Sequence, residues 1–329
     1  MKFIDLFGGV GGFRYGIEKA TDWKCVWYNE YDKYAVSVYN KQFNENWSPT
    51  DIRTVKVDDI PDFDVLCGGF PCQAFSIAGK RRGFKDTRGT MFFEIARILK
   101  AKRPKYLFLE NVKGLLNHSK GETFKVILQT LEELGYETQW MVLNSKFFGV
   151  PQNRERVFII GNLRGERKPE ILPFRENAGE VPGVYETEDS RPEIGQAKRR
   201  YGINGISPPL NNWSPIIKLH RANEIRESKD SPTLTGNMGT GGNNVPMISG
   251  CLDASYYKGT SPSHMKQGRP RIQVQTEGNL RRLTPIECER LQGFPDGWTD
   301  ICSDTQRYKQ MGNAVTTNVI SAIVKQWVM

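Results

Sequence analysis

The sequence predicts an α/β protein: a doubly wound, mostly parallel sheet with a smaller, loop-rich domain attached. Two observations carry the sheet. Short apolar runs rich in β-branched and aromatic residues recur along the first half of the chain, and amphipathic helical stretches stand between them. A third observation carries the smaller domain: beyond about Gly165 the chain becomes rich in Pro, Gly, Asn and Ser, with only short apolar stretches.

The runs Phe3 to Phe7, Cys25 to Tyr28, Val65 to Cys67, Tyr106 to Leu109, Gln139 to Leu143 and Val157 to Ile160 read as buried strands. Helical patterns fill the intervals at Phe13 to Ala20, Tyr34 to Phe43, Met91 to Ala101 and Thr123 to Leu134. The third places Phe92, Ile95, Ala96 and Leu99 on one face. Alternation of this kind implies parallel strands joined by helical crossovers. The expected division is 1–165 for the sheet domain and 166–280 for the loop-rich domain, in which Trp213, Ile216, Ile217, Tyr256 and Tyr257 seed a small core. Residues 281–329 form a hinge, and then one amphipathic helix from Asn313 to Val328 returns to the first domain.

The 329 residues and a hydrophobic content of 38% suffice for a core without staples. Lys and Arg exceed Asp and Glu by 46 to 37, a net +9, gathered at Lys80 to Arg88, Lys198 to Arg200 and Lys266 to Arg282. That surplus suits a polyanionic partner and equally an ordinary solubility charge. The six cysteines form no CxxC pair and have no spaced histidine partners, so no metal site is expected. The start of the chain is too short in apolar residues for a secretory segment, and no run approaches a membrane span, so a reducing, cytoplasmic location is expected.

The first strand runs into Gly8, Gly9, Gly11 and Gly12, and a helix follows. Such a turn brings backbone N–H groups and a helix N-terminus to a nucleotide, and it is also an ordinary strand-to-helix turn. Arg14 stands where the third glycine of GxGxxG belongs, which argues against a pyrophosphate cradle and leaves room for a cofactor without phosphates. Glu30 follows the second strand about twenty residues on, the interval at which an acid accepts ribose hydroxyls. Asp51 and Ile52 follow a Pro-containing loop and are candidates to hold adenine.

In DVLCGGFPCQAFS, Cys72 lies just beyond a strand and after Pro71, at the ligand-binding edge of an open sheet. Cys25, Cys251, Cys288 and Cys302 read as small buried hydrophobes. The strand Tyr106 to Leu109 delivers Glu110, Asn111 and Val112 to the same edge, and a carboxyl beside a thiol suggests acid catalysis. Arg154 and Arg156 precede the Val157 strand and face one site.

Taken in order, FGGVGG, FPCQ, ENV, QNRER, RRLTPIECERLQGFP and GNAV resemble the motif series of the DNA (cytosine-5) methyltransferases of bacterial restriction-modification systems. The resemblance spans nearly the whole chain. Only the stretch from about Arg164 to Gly278 is unmatched, where that family carries its variable target-recognition domain. It implies a Rossmann-like fold dependent on S-adenosyl-L-methionine, whose intact ribose, cationic sulfonium and lack of phosphate suit the glycine loop. It also implies that Cys72 adds to carbon 6 of cytosine and that Glu110 protonates, or shares a proton with, N3. Arg156, and Arg154 in second place, bind the base near O2 and lower the thiol pKa. Phe7, Gly9, Gly11, Glu30, Asp51, Ile52, Pro71, Asn313 and Val315 become cofactor contacts.

The reaction faces of a stacked base are inaccessible, so the resemblance further implies a flipped cytosine in double-stranded DNA. Its DNA contacts fall on Gln73, Ser76, Lys80, Arg81 and Arg88, in a loop whose composition also fits an ordinary solvated basic segment, and on Thr233. A monomer is expected, with a restriction endonuclease acting on the same site as a candidate partner. Two alternatives stay open on sequence grounds: a tRNA cytosine-5 methyltransferase, and a DNA-binding regulator without activity.

Overall fold

The computed structural model describes residues 1–71, 91–169 and 283–328 in full, together with the backbone of five short strands between them. Six strands form one sheet: β1 (Lys2–Leu6), β2 (Lys24–Asn29), β3 (Val65–Gly69), β4 (Tyr106–Val112), β5 (Tyr136–Asn144) and β6 (Glu155–Leu163), in the order β2-β1-β3-β4-β6-β5. The pairs β1/β2, β1/β3 and β3/β4 are parallel, and β4/β6 is antiparallel. The expected doubly wound, mostly parallel architecture is therefore present.

Each strand matches an apolar run because helices cover both faces of a parallel sheet. Phe3, Ile4, Leu6, Leu66, Leu107, Phe108 and Leu109 are all fully buried. The helices α1 (Gly12–Glu18), α2 (Lys33–Phe43), α3 (Met91–Lys102) and α4 (Glu122–Glu133) occupy the predicted intervals. The buried stripe of α3, Phe92, Ile95, Ala96, Ile98 and Leu99, joins a core with Ile4, Leu66, Leu107 and Ile159. Each such side chain removed from water contributes about 1.5–3 kcal/mol.

The chain direction sets the functional edge. From β1 the chain winds outward to β2 on one side, then returns to β3 and β4 on the other, so a topological switch point lies between β1 and β3. In an open α/β sheet, ligands bind beyond the carboxyl ends of the strands at that crevice. Register aligns those ends, with Leu6 opposite Asn29 and Gly68, and Gly69 opposite Glu110. Because β6 runs antiparallel, its start arrives at the same edge, with Arg156 opposite Val112.

The remaining strands are β7 (Tyr185–Thr187), β8 (Arg200–Gly202), β9 (Ile216–Ile217), β10 (Gln273–Thr276) and β11 (Asn279–Arg282). β7 pairs with β8, and β9, β10 and β11 form a small antiparallel sheet. Three helices close the chain: α5 (Pro285–Leu291), α6 (Asp304–Asn313) and α7 (Thr317–Val328). α5 starts with a capping box: Thr284 accepts from the Glu287 N–H, Glu287 returns a bond to the Thr284 N–H, and Pro285 occupies the first turn.

The helix expected from Asn313 to Val328 starts four residues later, at Thr317, because Asn313 closes α6 and Ala314 is extended (φ −62°, ψ 148°). The contacts group the chain into two compact units. One compact unit holds Met1–Leu143, Glu155–Phe174 and Val319–Met329, and the second holds Asn144–Arg154 and Arg175–Asn318. Polar bonds from Ser145, Gln152 and Arg154 to the segment around Gln292 and Thr316 place the first of those pieces in the second unit. Within the first unit, the end of α7 packs Trp327 edge-on against Trp23 and Tyr106, and Ser321 donates to the Gly16 carbonyl.

Candidate active site

At the end of β1 the chain turns sharply, with Phe7, Gly9 and Gly11 all at positive φ. Phe7 holds this conformation despite its side chain, a strained geometry of the kind found at ligand sites. Gly11 is the residue that caps the start of α1, where an added Cβ would lie 2.3 Å from the Phe43 ring. The N–H groups of the glycines do not wait for a phosphate: Gly8 donates to Asn29 O, Gly9 to Glu30 Oε2 and Gly11 to Gly8 O. Arg14, in the place of the third glycine, instead pairs with Glu18 and Glu45 and packs over Phe43. The loop thus lacks the donors of a diphosphate cradle at these positions and suits a nucleoside.

Glu30 is central to this loop. Its Oε2 accepts from Gly9 N–H at 3.2 Å, and Oε1 accepts from the Tyr31 and Asp32 N–H groups at 2.9 Å each. Burial raises its pKa from the usual carboxylate value, and the three N–H groups oppose that rise. Oε2, with one N–H donor, keeps a second lone pair, so a hydroxyl can still be bound. Tyr31, beside it, is 74% exposed, a large aromatic face left open at the strand end. Sequence reading passed over it, although a Tyr directly after the ribose-binding acid was the available signal.

The Asp51 loop is tied to the same edge by Thr50 N–H on Glu30 O (2.8 Å) and Asn29 Nδ2 on Thr50 O (2.9 Å). Asp51 is half-buried and pairs with Arg53, whose guanidinium holds its carboxyl down at about 2. Ile52, next to it, is 2% exposed and belongs to the apolar core.

Beneath the Glu30 edge lies a buried acid that the sequence reading did not single out. Asp5 on β1 is fully buried, and loss of hydration pushes its pKa up to about 8, against a lowering by Arg14.

On the other side of the switch point, β4 presents Glu110. Arg156 Nε reaches Glu110 Oε1 at 3.0 Å, and their side chains are only 14% and 12% exposed. The pairing follows from register: Phe158 lies opposite Glu110, so Arg156, two residues away on β6, is its diagonal neighbour on the same face. Gly69 leaves room for the acid, since a Cβ there would stand 3.1 Å from Glu110 Oε2. The next residue, Asn111, donates from Nδ2 to the Phe70 carbonyl at 2.8 Å. β3 then runs through Phe70 into the exposed Pro71, directly before Cys72.

A carboxyl held by a guanidinium, one strand away from a segment leading into a cysteine, suits addition of a thiolate to an electron-poor ring with proton delivery. The family model for C-5 cytosine-specific DNA methylases matches residues 1–328. The chain belongs to this family. Methylation of carbon 5 of cytosine in DNA is accordingly its reaction. Its relatives include the Type II methyltransferase M1.ScrFI of Lactococcus lactis subsp. cremoris, 41% identical over 99% of this chain and 77% of that protein. They also include the Type II methyltransferase M.Bsp6I of a Bacillus strain, 38% identical over 99% of this chain and 98% of that protein. Among solved structures, a Spodoptera frugiperda DNMT2 mutant superposes with a TM-score of 0.64 at 19% identity, covering 100% of this chain and 99% of that one, a likeness of fold.

In this DNA methylase the two arginines of QNRER part company. Arg156 meets Glu110, but Arg154 is 2% exposed and donates from one guanidinium nitrogen to Gly312 O (3.1 Å) and Ala314 O (2.7 Å). The Arg154 side chain thereby braces the turn between α6 and α7. Gln292 braces the same turn, donating to Met311 O (2.7 Å) and accepting from Thr316 Oγ1 (2.9 Å) and Gln152 Nε2 (3.2 Å). On that turn Asn313 is exposed and Val315 is 8% exposed.

The cysteines differ in burial. Cys25 is pushed up to about 12 by desolvation and the nearby Asp5, and Cys67 is raised well above the ordinary thiol value by burial. Cys288 is buried. These thiols are poor nucleophiles. Cys72, Gln73, Ser76, Lys80, Arg81, Arg88 and Thr233 lie outside the described residues. Among the described residues no group of His, Cys, Asp and Glu is arranged for a metal, and no helix is long and apolar enough to cross a membrane.

Proposed function

We propose that the chain transfers methyl from S-adenosyl-L-methionine to carbon 5 of a flipped-out cytosine within a specific duplex site, through a covalent bond between Cys72 and carbon 6. The observation that carries this reading is the Glu110–Arg156 pair at the edge where β3 leads into Pro71 and Cys72. The glycine loop fits the cofactor, since its N–H groups at Gly8, Gly9 and Gly11 are engaged within the protein and Glu30 and Tyr31 offer a carboxylate and an aromatic face. Glu30, Asp51, Phe7, Gly9, Gly11 and Pro71 hold it. When bound, S-adenosyl-L-methionine supplies the methyl group from a cationic sulfur.

The chemistry of the chain's own groups follows. Carbon 5 of cytosine is a poor nucleophile until electrons are pushed into the ring. The Cys72 thiolate forms a bond to carbon 6, which opens the carbon 5 to carbon 6 double bond, while Glu110 gives a proton to N3, leaving an enamine with a carbon 4 to carbon 5 double bond, electron-rich at carbon 5. Arg156 orients the Glu110 carboxyl and stabilises negative charge developing at O2. After methylation, the N3 proton returns to Glu110, a base removes the carbon 5 proton, and the carbon–sulfur bond breaks, so that the carbon 5 to carbon 6 double bond and the free thiolate are restored.

Residues 166–280 then serve target recognition, and the protein acts in the cytoplasm as a monomer beside an endonuclease of the same specificity. Transfer of labelled methyl from S-adenosyl-L-methionine to duplex DNA, compared with tRNA, tests the reading. Labelled duplex DNA supports it, and label confined to tRNA overturns it. Bisulfite sequencing of plasmid from expressing cells names the site.

A further inference from the structure

Glu110 and Asn111 are consecutive on β4, so their side chains leave opposite faces of the sheet. Glu110 meets Arg156 on one face. Asn111, 2% exposed, donates from Nδ2 to Phe70 O and accepts the Val112 N–H at Oδ1, both at 2.8 Å. With donor and acceptor ends both engaged, the amide has one satisfied orientation.

The Phe70 carbonyl is the last one before Pro71. A pinned carbonyl fixes ψ of Phe70, and the Pro71 ring fixes its own φ and confines Phe70 to extended backbone. Phe70 itself is held, 5% exposed with its ring 5.7 Å from that of Phe92. One soft torsion, ψ of Pro71, then remains before residue 72. We propose that Asn111 is a positioning residue that sets where Cys72 is presented relative to Glu110, so that neighbouring residues of one strand orient the acid and aim the nucleophile. The inference rests on Cys72 being that nucleophile.

Asn111→Asp tests it with almost no change of shape. As a carboxylate it sets an oxygen against the Phe70 carbonyl, whereas on protonation it regains an O–H donor, and burial brings that protonation toward neutral pH. At pH 8.5 we expect kcat, and the rate of adduct formation on 5-fluorocytosine DNA, about 100-fold below wild type, with the deficit narrowing at least about tenfold by pH 6. Cofactor affinity and the KM for DNA should stay within about threefold. A deficit that does not change with pH, or one shared equally by cofactor affinity, overturns the proposal. Should this variant not fold, Asn111→Ala decides: a loss confined to the adduct-forming rate supports the positioning role, and one spread over cofactor binding overturns it. Cys72→Ser separates the two readings. If it stays active the nucleophile assignment fails, and if it is inactive while Asn111→Asp matches wild type, only the role of Asn111 fails.

Discussion

Arg156 Nε stands 3.0 Å from Glu110 Oε1 across the β4/β6 pair, both side chains mostly withdrawn from water. The guanidinium holds the carboxyl in a single place at the strand edge. Glu110→Gln keeps that shape and removes the transferable proton, so kcat is expected to fall by about 10²–10⁴ with DNA affinity nearly unchanged. Single-turnover methyl transfer with a parallel binding titration measures both. A variant within a few-fold of wild type would remove Glu110 from the proton transfer.

Glu30 takes three backbone N–H groups and fastens the Gly9 loop to the end of β2. Glu30→Ala is expected to weaken cofactor binding at least about tenfold, a loss of ~1.4 kcal/mol, while DNA affinity holds. Equilibrium dialysis reads the first and a gel-shift titration the second. Unchanged cofactor affinity would take Glu30 out of the site.

Arg154 and Arg156 test the division of labour within QNRER. Arg154→Met removes the donor from the Gly312 and Ala314 carbonyls and is expected to cost about 2–4 kcal/mol of stability, read as a lower melting temperature. Well below that temperature kcat should remain within several-fold of wild type. Lost activity at full stability would return Arg154 to the base-binding role.

Asp5 makes stability depend on pH. Its folded pKa, raised to about 8 by burial, stands above the ordinary carboxylate value of 3.8, so between about pH 4 and 8 the folded state binds the extra proton and stability falls as pH rises. Asp5→Asn removes this term. Its stability relative to wild type is expected to climb through that window, by up to ~1.4 kcal/mol per pH unit. Denaturant titrations at stepped pH values check it, and parallel curves for the two proteins would contradict it.

The sheet was legible because strands buried on both faces must be apolar throughout, and each predicted run lies within or overlaps an observed strand. Glu30 and Glu110 were legible because each is the polar residue that ends or follows such a run. What the sequence hid depends on partners far along the chain. Nothing local distinguishes Arg154 from Arg156: one finds the carbonyls after α6 and the other finds Glu110 across the sheet. The break between α6 and α7 is set by bonds from Arg154 and Gln292, with no proline to announce it. Ile52 looked available in a loop because the core that receives it is assembled from β1, β3 and α3. Asn111 was read only as a strand end, since its bond to Phe70 spans the sheet.

The most direct test of the account is the fate of duplex DNA carrying 5-fluorocytosine at the target position, incubated with the protein and S-adenosyl-L-methionine. Fluorine cannot leave as a proton does, so the ring is expected to stay bonded to the enzyme, and peptide mapping by mass spectrometry should place the bond on Cys72. A stable adduct on any other residue, or methylation of ordinary cytosine by Cys72→Ser at the wild-type rate, would contradict it.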